Sequence, residues 1–168
     1  MNSVIKQLQS NKTIFYHLLK DEKKDVVLWK QTPEKWCLLE IVCHLYDEEC
    51  HDFRFRTLWC LEHPNQIPPP IDHIGWIITH DYINQDYQTM LKKLLSERDQ
   101  SITWLQSLKN VNWDSSFVHS KLGELSAKHF LTNWLAHDYL HIKQILKLKY
   151  DYLKHQSGEN LDYAGVWK

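Results

Sequence analysis

The sequence predicts an all-α fold, a four-helix bundle formed by one domain over residues 1–168. Three observations predict it. Four long stretches repeat apolar residues at helical spacing. Helix breakers are scarce, with 4 glycines and 5 prolines in the chain. No internal repeat, low-complexity run or linker divides the 168 residues, a length that suits one domain with a real core.

The first helix is expected over Ser3–Lys20, with Val4, Ile5, Leu8, Phe15, Leu18 and Leu19 on one broad side and Asn11 interrupting it. The second is expected to open at Thr32-Pro33-Glu34. Thr can cap, Pro suits the first turn because its missing N–H has no partner there, and Glu favours the positive end of the helix dipole. It runs to Leu61 or Glu62, and Pro64 with Pro68-Pro69-Pro70 then imposes a long loop. The third is expected over Asp81–Leu108, with Ile83, Tyr87, Met90, Leu91, Leu94, Ile102, Leu105 and Leu108 as its stripe. Residues 110–123 show no period and read as a loop. Ser126 opens the fourth helix, which continues to Lys154 with Phe130, Trp134, His137, His141, Ile145 and Leu148 facing inward. The tail from Gln156 offers Tyr163 and Trp167 as docking aromatics. Long loops in small domains often shape a site, and 8 tryptophans can wall a pocket as well as fill a core.

Composition narrows the function classes. A net charge of −1 and a pI near 6.8 leave no basic footprint for nucleic acid. The N-terminus lacks the basic start and apolar core of a signal peptide. No run of 18 apolar residues occurs, so no membrane span is expected. Cys37, Cys43, Cys50 and Cys60 form no CxxC pair and fall within one expected helix. They read as reduced thiols of a cytoplasmic protein, serving as small buried hydrophobes.

Of the 11 histidines, His17, His63, His119 and His155 fall near helix ends or in loops, and His51, His73, His80 and His129 read as structural or surface residues. His137 and His141 differ, because positions i and i+4 stack on one helix face and both lie on the inward stripe. Two buried imidazoles need partners, and a metal satisfies both at once. Stacked core or surface histidines are the plainer alternative for HxxxH alone. His44, mid-helix between apolar neighbours, supplies a third ligand if the second and fourth helices pack together. Three His ligands leave a coordination position open, as catalytic sites do. Asp47 and Glu48 follow at i+3 and i+4, candidates to orient a ligand ring or to act as base, against the alternative of a solvated helix edge.

Two blocks carry a family resemblance. One is Trp36-Cys37-Leu38-Leu39-Glu40-Ile41-Val42-Cys43-His44-Leu45 with Asp47 and Glu49; the other is Ala136-His137-Asp138-Tyr139-Leu140-His141-Ile142-Lys143-Gln144-Ile145. With the ending Tyr163-Ala164-Gly165-Val166-Trp167, the chain resembles the DinB-like superfamily over nearly its whole length. The resemblance implies an up-down-down-up bundle, a homodimer, and one divalent metal on His44, His137 and His141, with zinc or nickel first and iron or manganese as alternatives. It also implies a small-molecule substrate and thiol S-transferase chemistry with a low-molecular-weight thiol such as bacillithiol or glutathione. Arg54, Arg56 and Arg98 are the arginines available to a carboxylated thiol.

Other readings compete. A small-molecule hydrolase could use Asp47 or Glu48 as base. His137-Asp138-x-x-His141 resembles a protease HExxH, but Asp is a methylene short and no usual downstream ligand follows. Glu48-x-x-His51 matches one element of a dimetal bundle that lacks its other glutamates. A non-enzymatic metal-binding dimer of stress response is the last.

Overall fold

The computed structural model describes residues 1–167. Four long helices form the bundle: α1 (Asn2–Leu19), α2, α3 (Tyr87–Ser107) and α4 (Ala127–Ser157). Helix α2 is continuous but has three parts, α-helical over Leu38–Asp47, widened to π geometry over Glu48–Phe53, and α-helical again over Arg54–Glu62. A β-hairpin, β1 (Ser116–His119) with β2 (Gly123–Ser126), precedes α4 and pairs Phe117 with Leu125. No helix among the described residues is long and apolar enough to cross a membrane.

Named contacts fix the direction of each helix. Along α1 and α4, Asn11 meets Asp138 and the backbone of Leu18 meets Lys149, so these helices run parallel. Along α2 and α3, Glu49 meets Arg98 and Arg54 meets Ser101, so these also run parallel. Leu8 with Arg98 and Leu19 with Tyr87 set α1 antiparallel to α3. His44 with His137 and Cys60 with Leu125, just before α4, set α2 antiparallel to α4. The result is up-down-down-up, and the parallel α2–α3 pair requires the long crossover of residues 63–86.

Three expected boundaries move. Helix α2 begins at Leu38, not at Thr32-Pro33-Glu34. Residues 32–35 form a turn, and the start is fixed by Glu40, which accepts the backbone N–H of Cys37 at 2.8 Å and is held by Lys30 at 2.7 Å. Helix α3 begins at Tyr87, where Asp86 accepts the N–H of Thr89. Before it, Asp81 takes a left-handed conformation (φ 47°) that interrupts any helix from Asp81. The expected loop 110–123 holds the first strand and the turn of the hairpin, and the second strand runs on to Ser126; strands of four residues are too short to show a period, and Phe117 and Leu125 are buried against Cys60, Ala127 and Phe130.

The core fills both ends of the bundle. Leu38, Ile41, Val42 and Leu45 of α2 pack with Phe15, Leu19, Leu91, Leu94 and Ile145 at one end. Ile5, Leu8, Phe53, Leu105, Leu131 and Trp134 pack at the other. Each fully buried large side chain contributes roughly 1.5–3 kcal/mol. In the tail, Trp167 docks on Tyr150 with ring centroids 5.5 Å apart, whereas Tyr163 stands fully exposed.

Candidate metal centre

His137 and His141 project from one face of α4, and His44 projects from the antiparallel α2 towards them. Nε2 of His137 lies 3.2 Å from Nε2 of His44 and 3.0 Å from Nε2 of His141. One nitrogen from each of the three residues lies within 4.8 Å of the other two. A tetrahedral ion with nitrogen ligands at 2.0–2.1 Å holds them about 3.3 Å apart, so the spacing fits a single metal. Among the described residues no other set of three His, Cys, Asp or Glu converges in this way.

The protonation chemistry fits as well. Burial, then the neighbouring His141 and His73, depress the pKa of His44 to about 3. Burial, then His141, His44 and Arg98, depress that of His137 to about 2. Burial also lowers that of His141. All three are therefore neutral imidazoles near pH 7, and each has one N–H and one lone pair. Nδ1 of His44 and Nδ1 of His141 are buried without a hydrogen-bond partner. The converging atoms are the three Nε2 nitrogens, and with the ring protons on Nδ1 all three turn lone pairs towards one point. A cation there satisfies every lone pair at once.

The residues around the ligands sort by where their side chains point. Glu48 approaches His44 from behind, with Oε1 3.8 Å from Nδ1, beyond hydrogen-bond reach. Burial and the adjacent Asp52 push its pKa up to about 8. Asp47 is not brought to the histidines. Its Oδ2 accepts the hydroxyl of Tyr82 at 2.6 Å and meets Nδ1 of His80 at 2.7 Å, because the crossover loop folds against that side of α2. Asp138, the residue of the protease-like motif, points away into the core and binds Arg98 through both oxygens at 2.7 and 2.8 Å. It therefore cannot serve as a base at the centre.

The arginines are likewise committed. Arg98 is buried between Glu49 and Asp138, Arg54 pairs with Glu97, and Arg56 pairs with Asp52. None lines the cleft beside the ligands. The four cysteines are free. Burial holds Cys37 and Cys60 up to about 11 and Cys43 and Cys50 up to about 12, so all four are protonated, inert thiols near neutral pH.

Two aromatic neighbours were not anticipated from the sequence. Trp36 packs on His44 with ring centroids 4.8 Å apart, and Phe53 packs on His137 at 5.1 Å. Phe53 reaches His137 from the end of the π segment, a geometry that no residue pattern announces. On the outer side, a cleft of about 350 Å³ is lined by Glu34, Lys35, Trp36, His44, His141 and Gln144. The centre thus has an enclosed inner side and an outer side open to small molecules.

Comparison with known proteins places this arrangement. Residues 7–145 match the model of the DinB superfamily. The chain belongs to the DinB superfamily. Its DinB bundle resembles the solved structure of YfiT from Bacillus subtilis, described as "a probable metal-dependent hydrolase with an unusual four-helix bundle topology". The two align with a TM-score of 0.77 and 17% sequence identity, over 95% of this chain and 88% of that one. At that identity the likeness concerns the fold. No curated protein matches this DinB chain.

Proposed function

We propose that this protein is a metal-dependent enzyme that holds one divalent ion on His44, His137 and His141 and uses it to activate a small nucleophile in the adjoining cleft. The observation that carries the proposal is the convergence of three neutral imidazoles, with His44 and His141 also lining a cleft. Zinc and nickel suit the imidazole set best, with iron or manganese as alternatives. Such an ion supplies Lewis acidity, which makes a thiol or a water nucleophilic near neutral pH.

The chain's own residues do the rest. Glu48 is the carboxylate nearest to Nδ1 of His44, 3.8 Å away, and a small rotation of its side chain would let it accept that N–H and orient the ring. Phe53, buried, packs on the ring of His137 on the inner side, and Trp36 packs on the ring of His44 at the wall of the cleft. Lys35 and Gln144 offer hydrogen-bond donors to a substrate in the cleft.

Transfer of a low-molecular-weight thiol to a small electrophile is the reaction we favour. Asp47 and Asp138 are bound elsewhere, and a thiol needs no general base once its pKa is lowered. Hydrolysis is the second reading, favoured by the description of YfiT and by Glu34, a carboxylate on the cleft wall. A cytoplasmic homodimer completes the proposal. Tyr139, Leu146 and Leu153, 48%, 40% and 53% exposed, follow one another at seven-residue spacing on α4, an apolar row suited to pairing.

The test is an assay of the zinc- and nickel-loaded protein with bacillithiol, glutathione or cysteine and a bimane electrophile, beside hydrolysis of p-nitrophenyl acetate. Metal-dependent conjugation that is lost in His44→Ala supports thiol transfer. Metal-dependent hydrolysis without conjugation favours the second reading. Neither activity in a metal-loaded protein leaves a non-enzymatic binding protein.

A further inference from the structure

The cleft beside the histidines does not end there. Lys35, Trp36 and Gln144 also line a second recess of about 230 Å³, whose remaining walls are Trp29, Gln31, Lys147, Leu148 and Asp151. This recess leads in turn, through Trp29, Gln31, Lys147 and Asp151, to a third of about 520 Å³ that Tyr150 and Trp167 help to enclose. Neighbouring recesses share walls, so the three lie in series from His141 along α4 towards its C-terminus.

The middle recess has a definite chemical character. Trp29 and Trp36 present indole surface, and Leu148 supplies an apolar wall. Its volume falls below the range that takes a whole drug-sized ligand, and it suits one ring. Its two cations differ. Lys147 is neutralised by Asp151 one turn along α4. Lys35 is exposed and, among the described residues, forms no ion pair. It stands beside Gln144 where the recess joins the cleft.

We propose that this recess is the specificity pocket of the enzyme, and that it takes the planar aromatic group of a substrate whose anionic substituent points to Lys35 and Gln144. Stacking on indole adds to what the burial of apolar area alone supplies. The unpaired ammonium selects a carboxylate or similar anion over a neutral ring. In that pose the anionic end lies nearest the histidines, so the reacting atom is on or next to that substituent. The assignment rests on the proposed metal centre for the place of reaction, but the binding itself uses none of the three ligands.

The test is fragment binding by saturation-transfer NMR and titration, with benzoate, benzyl alcohol, cyclohexanecarboxylate and acetate as probes. It is run on the wild type, Trp29→Leu and Lys35→Glu, with metal content and circular dichroism measured on each. The expected order is benzoate tightest, with benzyl alcohol and cyclohexanecarboxylate each weaker and acetate weakest. Benzoate affinity should fall at least about tenfold in both variants, a loss of about 1.4 kcal/mol, while fold and metal content stay unchanged. Benzoate that fails to bind, binds the variants equally, or binds no better than benzyl alcohol overturns the proposal. Chelator-treated protein separates the two readings. Benzoate binding that persists in a protein unable to take up zinc or nickel keeps the pocket and removes the metal centre.

Discussion

Arg98 grips Asp138, the residue directly after the candidate ligand His137, with Nη1 and Nη2 at 2.7 and 2.8 Å from its two carboxylate oxygens. The same guanidinium binds Glu49 of the π segment, which directly follows the segment that carries His44. Trp134 and Asn11 complete the satisfaction of the two carboxylates. Burial alone would lower the pKa of Arg98; the two carboxylates more than offset it, and the charge is retained. One buried cation thus ties α3 to both helices that carry the three converging histidines.

Breaking that tie should destabilise the fold without touching the centre directly. Removing one member of a buried charge network costs about 3–5 kcal/mol, since the partner is left uncompensated. Asp138→Asn should therefore lower the free energy of unfolding in urea by about 3 kcal/mol. A change below about 0.5 kcal/mol would show that the network is not structural.

Stability should depend on pH in a direction set by the histidines. In the unfolded chain they titrate near 6.5, whereas folded His44 and His137 do so near 3 and 2. Between these values only the unfolded state takes up the protons, so metal-free protein loses stability as pH falls. The contribution is complete above pH 6.5 and falls by up to about 1.4 kcal/mol per pH unit for each histidine below it. Urea unfolding from pH 7 to pH 4, in chelator, should show this slope, and His137→Gln should reduce it. Equal slopes for variant and wild type would contradict burial of a neutral His137.

Glu48 should act in the opposite sense. Its folded pKa near 8 exceeds the unfolded value near 4.3, so the folded state keeps a proton that the unfolded state has lost. Its penalty is absent at pH 4 and grows as pH rises towards 8. Glu48→Gln should therefore stabilise metal-free protein at pH 8 and leave it unchanged at pH 4, as read by thermal melts. Destabilisation at pH 8 would instead mean that the ionised carboxylate is needed by His44.

Asp47 should prove a fastener for the crossover loop. It is 3% exposed and bonds both His80 and Tyr82 of that loop. Asp47→Asn should increase amide hydrogen exchange in residues 76–84 while metal content stays at the wild-type level. Loss of metal with unchanged exchange would return Asp47 to the centre.

The sequence was informative where chemistry repeats at helical spacing. Stripes such as Phe130, Trp134, His141 and Ile145 announced α4, and Ser126 caps it by accepting the N–H of His129. The HxxxH pair and His44 were legible because buried imidazoles demand partners. The start of α2 was misread because Thr32-Pro33-Glu34 carries a stronger local capping pattern than Cys37, whose box with Glu40 uses an unusual cap residue. The role of Asp47 was hidden because i+3 and i+4 positions share a broad face, and only the path of the crossover loop separates Asp47 from Glu48. The buried part of Arg98 was equally invisible, since its two partners come from helices 40 or more residues away.

The most direct test of the central claim is the metal content of untagged protein by plasma mass spectrometry, after incubation with zinc or nickel and removal of excess. Wild type should hold close to one ion per chain, and folded His44→Ala and His137→Ala/His141→Ala should hold almost none. Equal metal in all three proteins, or none in wild type, would contradict a metal centre at these histidines.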